Sequence, residues 1–286
     1  NVKDGNFSMP TTKDWFSYKF TWKGGHAPTP WLWTDKENWI CDVSTDHHPM
    51  EAPPYTGSVC DITIDTESSD PNHNLDLKDG VGTSMVTALE LKSLTVNPGK
   101  RIGLGKCTIE TTGSITNDGT IALYGNQTTP VLKSTATPPS ITHGTNSTIE
   151  YYGNDANAKD VLSANTTGTP DGNYKNLVVK MTGGTMTFNH SINATKLDAS
   201  GNADSAQIEL NCSTVTTTGE QKYKGKVELK QDVTLTASSV TFEGELDGAK
   251  TLTAANATKL TFKGKVGSTM PLTTLTSGTG TVTFDT

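Results

Sequence analysis

Asp61 and Asp65, in the segment Asp61-Ile-Thr-Ile-Asp65, are the first carboxylates to test for paired acid–base chemistry. Four residues apart on an extended strand they face the same way, but about 13 Å of backbone separates them. Glycosidic chemistry works across roughly 5 to 9.5 Å, so this pair is too widely spaced. Asp42, Asp46, His47 and His48 form a metal-like cluster. Adjacent His side chains on an extended segment diverge, so one ion cannot collect both without a bend, and a solvated loop is the better reading. Arg101 is the sole arginine and therefore the single candidate for arginine-assisted proton abstraction. Neither a Gly-rich phosphate loop opening a helix nor a Gly-x-Ser-x-Gly elbow occurs. The expectation is a chain without catalytic residues, cofactor or metal ligands.

Three further residue types invite a chemical reading. Cys41 and Cys60 lie 19 residues apart in an irregular, Pro-rich region. A disulfide there would restrain the loop by about 3 kcal/mol, and we expect it, with two thiols as the alternative. Cys107 and Cys212, 105 residues apart, are expected as buried thiols in separate rungs. All five tryptophans fall within the first 39 positions. Exposed, Trp31 and Trp33 would form a platform for sugar faces; buried, they would seal the end of a stack, and the cap is the preferred reading. Thr-x-Thr pairs at 185/187, 234/236, 251/253 and 281/283 raise the idea of an ice-binding face. Their spacings of 49, 17 and 30 residues are not one period, which argues against it.

The elements that must carry these residues are clearest between Tyr223 and Thr286. Tyr223-Lys-Gly-Lys-Val227, Val240-Thr-Phe242-Glu-Gly-Glu-Leu246 and Leu260-Thr-Phe262-Lys-Gly-Lys-Val266 repeat one unit, which ends in Val282-Thr-Phe284. The aromatic recurs after 19, 20 and 22 residues. A period near 20 residues, with β-branched and aromatic residues alternating with Thr and Lys, is the signature of a β-solenoid. Val240 and Phe242 should face inward and Thr241 outward. Gly225, Gly244 and Gly264 follow the aromatic by two positions, where a corner or close backbone approach favours a residue without Cβ.

Upstream, the chain divides into a Trp-rich, irregular cap region at 1–88 and a β-helix at 89–286. Within the latter, 127–148 is rich in Thr, Pro and Ser, and 153–173 in Asn, Ala, Asp and Gly. Both are expected to project as loops, where binding tends to reside. Thr occurs 50 times, hydrophobic residues make up 33%, and the formal net charge is −7. That composition suits many short strands with polar outer faces; it disfavours nucleic-acid binding and supplies no membrane-spanning apolar run. The strand repeat breaks off at Thr286, so continuation of the chain is expected.

Thr21-Trp22-Lys23-Gly24-Gly25, Trp33-Thr34-Asp35 and Asn38-Trp39, followed by Val59-Cys60-Asp61-Ile62-Thr63-Ile64, resemble an opening unit common in large bacterial surface proteins. Leu94-Thr-Val96 to Gly113-Ser-Ile115-Thr-Asn117-Asp-Gly119-Thr-Ile121 is similar to the start of adhesin-type β-helices. Together with the later repeats, these segments resemble filamentous-haemagglutinin-like and autotransporter-like proteins. The resemblance implies an all-β, right-handed parallel β-helix in a secreted or cell-surface bacterial adhesin, a monomeric fragment that displays loops to a host or matrix glycan or protein. A carbohydrate-binding or polysaccharide-active β-helix and a purely structural surface scaffold are the alternatives.

Overall fold

Alternation of apolar and polar residues at a period of two dictates strands with one buried and one wet side. Burial follows that rule in Gln207–Leu210, Lys226–Leu229 and Ser239–Phe242, where every second side chain is buried. The computed structural model describes residues 18–22, 39–42, 60–65, 75–76, 88–104, 107–124, 132–135, 141–153, 158–159 and 173–285. Among them the chain is all β, with parallel strands stacked as a β-solenoid.

In the C-terminal half each coil crosses three ladders. One runs Gln207–Leu210, Lys226–Leu229, Leu246–Asp247. A second runs Thr214–Thr217, Val233–Thr236, Thr251–Ala255, Thr274–Ser277. The third runs Glu220–Tyr223, Ser239–Phe242, Lys259–Phe262, Thr281–Phe284. The second and third ladders meet upstream in one long strand, Ile192–Ala199, whose first half pairs with Val215–Thr217 and whose second half pairs with Gln221–Tyr223. Asn173–Met181 and Thr148–Gly153 continue the stack above it.

The ladder reaches into the first 88 residues. Tyr18–Trp22 pairs in parallel with Cys60–Ile64, which pairs in parallel with Ser93–Val96. Trp39–Asp42 adds to the outer side of Tyr18–Trp22 in antiparallel sense. Phe20 and Trp22 are buried and join the core. Within 127–148 the described residues form rungs: Leu132–Ser134 pairs with Ile109–Thr111, and Ile141–His143 with Ile115–Asn117. Leu132 and Ser134 are buried because they occupy inward positions of that rung. From 153–173, Ala158–Lys159 pairs with Met186–Thr187, while 154–157 and 160–172 lie outside the described residues. Trp31 and Trp33, and with them the cap reading, also lie outside. No helix among the described residues is long and apolar enough to cross a membrane.

The core is a file of stacked side chains. Tyr223, Phe242, Phe262 and Phe284 stand in register, with ring centroids 5.1, 5.4 and 5.1 Å apart and interplanar angles of 12°, 5° and 18°. The 19-, 20- and 22-residue recurrence in the sequence is this stack. The glycines that follow have a common reason. A Cβ on Gly244 would run into the Gly225 carbonyl oxygen, and one on Gly264 into the Gly244 carbonyl oxygen. Only a bare Cα lets successive corners nest this closely.

Phe242 is fully buried between two rings, whereas Phe284 is 56% exposed with one ring neighbour. Phe242→Ala is expected to destabilise the fold by about 3 to 5 kcal/mol. Phe284→Ala should cost about 1 kcal/mol, the scale of one aromatic pair. Denaturant unfolding of the two variants beside the parent chain checks the contrast.

Candidate functional site

A solenoid with a filled interior can do chemistry only on its outward positions. Acidic side chains there meet lysines from adjacent coils. Lys196 Nζ lies 3.0 Å from Glu220 and 3.1 Å from Asp198, and Lys222 lies 3.1 Å from Glu220. On the opposite ladder Lys230 lies 3.0 Å from Glu209 and 2.6 Å from Glu228. Hydrogen bonds from Lys196 and Lys222 hold Glu220 below the ordinary glutamate range. Asp247 is fully buried, which opposes its ionised form. The N–H groups of Thr269 and Met270 donate to Oδ1 at 3.2 and 3.3 Å, and Lys226 Nζ stands 3.2 Å from Oδ2. Together they outweigh burial and keep the Asp247 carboxyl low. A general acid near neutrality needs the opposite shift, so Glu220 and Asp247 are suited to holding coils together.

Arg101 belongs to the same kind of network. Its Nη2 donates to Glu150 Oε1 at 3.1 Å, and its guanidinium lies 5.7 Å from the Tyr152 ring centroid. Lys180 Nζ donates to the other carboxylate oxygen at 2.7 Å. Burial alone would raise the Glu150 pKa; the Lys180 hydrogen bond and the charge and hydrogen bond of Arg101 hold it below the glutamate range. The sequence singled out Arg101 but missed Glu150 and Lys180, because Glu150 stands 49 residues beyond Arg101 and Lys180 a further 30 beyond Glu150.

The other sequence-selected residues fall apart from one another. Asp61 accepts hydrogen bonds from the Ser93 hydroxyl and from Lys92 Nζ, the latter at 3.2 Å, while Asp65 is exposed just past the end of the strand. Asp42 lies opposite Lys19 in the edge pair, and Asp46, His47 and His48 lie outside the described residues. Among the described residues no three His, Cys, Asp or Glu side chains group tightly enough to hold a metal ion. The expected Cys41–Cys60 bridge is not formed. Trp39–Asp42 and Cys60–Ile64 flank Tyr18–Trp22 on opposite sides, with Cys41 opposite Phe20 and Cys60 opposite Tyr18. Two strand spacings, about 10 Å, exceed the roughly 7 Å that a disulfide spans. Cys60, Cys107 and Cys212 are buried thiols, and burial pushes the Cys107 thiol up to about 12.

One outer face differs from the charged ladders. Register puts Thr214, Thr234, Thr253 and Thr276 in a single line across four coils. Thr216 and Thr236 flank it on one side, Thr251 and Thr274 on the other. This overturns the objection raised by pair spacing. Thr185 and Thr187 belong to another ladder, opposite Gln207 and Glu209, and Thr281 and Thr283 to a third, opposite Lys259 and Thr261. The 49, 17 and 30 count therefore mixed three faces.

Two measurements follow from the ion pairs and thiols. Because the folded Glu150 pKa is depressed, its contribution is present at neutral pH and is lost as pH falls through that lowered value. Glu150→Gln should lower stability by about 1 to 2 kcal/mol at pH 7 and flatten the acid limb of a stability–pH curve. In denaturant without reductant, a thiol titration should find all four cysteines reactive, and two equivalents would restore the bridge.

No protein-family profile, curated protein or solved structure matches this chain.

Proposed function

We propose that the chain is a non-catalytic segment of a bacterial secreted or cell-surface adhesin, a β-solenoid rod that displays binding loops to a glycan or protein on a host or matrix surface. The observation that supports this reading is coil stacking on both sides of an interval, in two different ladders. Ala158–Lys159 still pairs with Met186–Thr187, and Asn173 with Asn193, on the two sides of the 13-residue interval 160–172. A rod of stacked coils tolerates such a segment because its hydrogen bonds run between coils, so the added residues need not enter the core. Carboxylates paired with lysines and an interior filled by stacked side chains, among the described residues, support a load-carrying rod as the frame for display.

Binding to a glycan and matrix-protein array tests the proposal, using the parent chain, Trp31→Ala and a variant with 160–172 replaced by a short Gly/Ser linker. Binding is expected in the parent and in Trp31→Ala and should be lost with the linker. Sugar binding lost in Trp31→Ala would move the activity to the tryptophans as a carbohydrate platform. Absence of binding by the parent would overturn display in favour of a structural scaffold.

A further inference from the structure

The threonine face carries more order than a rod requires. Its strands keep Val215, Leu235, Leu252 and Ala254 buried inward, so alternation forces Thr214 and Thr216, Thr234 and Thr236, and Thr251 and Thr253 outward, each part-exposed. Thr274 and Thr276 complete the array in the last coil and are exposed. The parallel register spaces neighbouring hydroxyls by about 4.8 Å across strands and about 6.6 Å along each strand. No charged residue lies within these four strands, though Asp232, one position before Val233, falls beside Thr251 and accepts its N–H at 2.7 Å, placing one carboxylate at the border of the array; the ladders on either side carry Glu209, Glu228, Glu220, Lys222 and Lys259. Ala255 interrupts the Thr216–Thr236 line, and Thr251 and Thr274 extend the array on the other flank, so the pattern steps sideways while the central line of four remains whole.

A repeating grid of hydroxyl groups, whose central line of four is uncharged, offers little to a single sugar ring or an extended peptide, neither of which repeats in two directions. It fits a ligand that is itself a two-dimensional lattice of hydroxyl-like donors and acceptors. An ice surface, an ordered sheet of water oxygens that both donate and accept hydrogen bonds, is a lattice of that kind. Threonine suits the task because its branched Cβ restricts χ1, which fixes the methyl and hydroxyl directions before contact and reduces the ordering cost of binding. We infer that this face binds ice through the Thr214, Thr234, Thr253 and Thr276 line and its flanking threonines. The inference stands independently of the adhesin proposal, whose ligand would be held by loops on other parts of the rod.

Growth of a single seeded ice crystal in supercooled solution, with the parent chain at micromolar to millimolar concentration, tests it. The parent is expected to facet the crystal and to open a gap between melting and growth temperatures. Thr253→Lys, and separately Thr276→Lys in the exposed last coil, should abolish faceting, while Thr241→Lys on the adjacent ladder should retain it. Thermal unfolding of each variant shows whether the fold is kept, and Thr276→Lys decides the matter if Thr253→Lys is destabilised. Round crystals with the parent chain, or faceting undiminished in the folded Thr253→Lys and Thr276→Lys variants, would overturn the inference.

Discussion

The structure depends on one constraint: every inward side chain must rest on its counterpart in the next coil. A single coil has no interior of its own, so apolar burial comes from stacking along the axis. Tyr223, Phe242, Phe262 and Phe284 show the constraint in its simplest form, with rings kept near parallel by the register of their strands. The glycine corners serve the same end by letting one backbone settle on another. Buried polar groups obey it too. Gln221 sits inside the core, donates to the Val215 and Thr236 carbonyls, and accepts from the Tyr223 hydroxyl, so a polar residue in the stack is tolerated with its bonds satisfied.

Once the inside is fixed by stacking, the outside is fixed by it as well, because outward residues of successive coils are brought to a spacing of about 4.8 Å. Like charges at that distance repel, and opposite ones attract. Lys196 facing Glu220 across coils is the direct consequence, and Lys230 sits between Glu209 and Glu228, which register sets opposite each other, and offsets their repulsion. The same spacing arranges threonines into a grid. One rule of register thus yields ion-pair ladders on two faces and a threonine lattice bordered by Asp232 on the third, and the difference between them lies in which residues occupy the outward positions.

The outermost described strands of the stack pair differently. Trp39–Asp42 lies antiparallel to Tyr18–Trp22, on the side away from Cys60–Ile64. Thr281–Phe284 pairs in parallel with Lys259–Phe262, and the Phe284 ring is 56% exposed.

The sequence by itself determined the class of fold and the composition of each face. Alternation in Val240-Thr-Phe242 and the recurrence of Phe-x-Gly depend on neighbouring residues, and they survive into the structure unchanged. What only the tertiary structure decided is which residues of different coils meet. Coils here have unequal lengths, so chain separation does not give register. Thr214, Thr234, Thr253 and Thr276 come into line after 20, 19 and 23 residues, whereas Thr-x-Thr pairs counted along the chain belong to three faces. Arg101 reaches Glu150 across a similar irregularity, and Leu132–Ser134, hidden in a Thr- and Pro-rich stretch, takes its place as a rung. Cys41 and Cys60 failed to meet for the same reason in reverse: Tyr18–Trp22, earlier in the chain than either, inserts between their strands. Alternation is a local property of the backbone, while register is a sum over every intervening turn, and only the folded chain performs that sum.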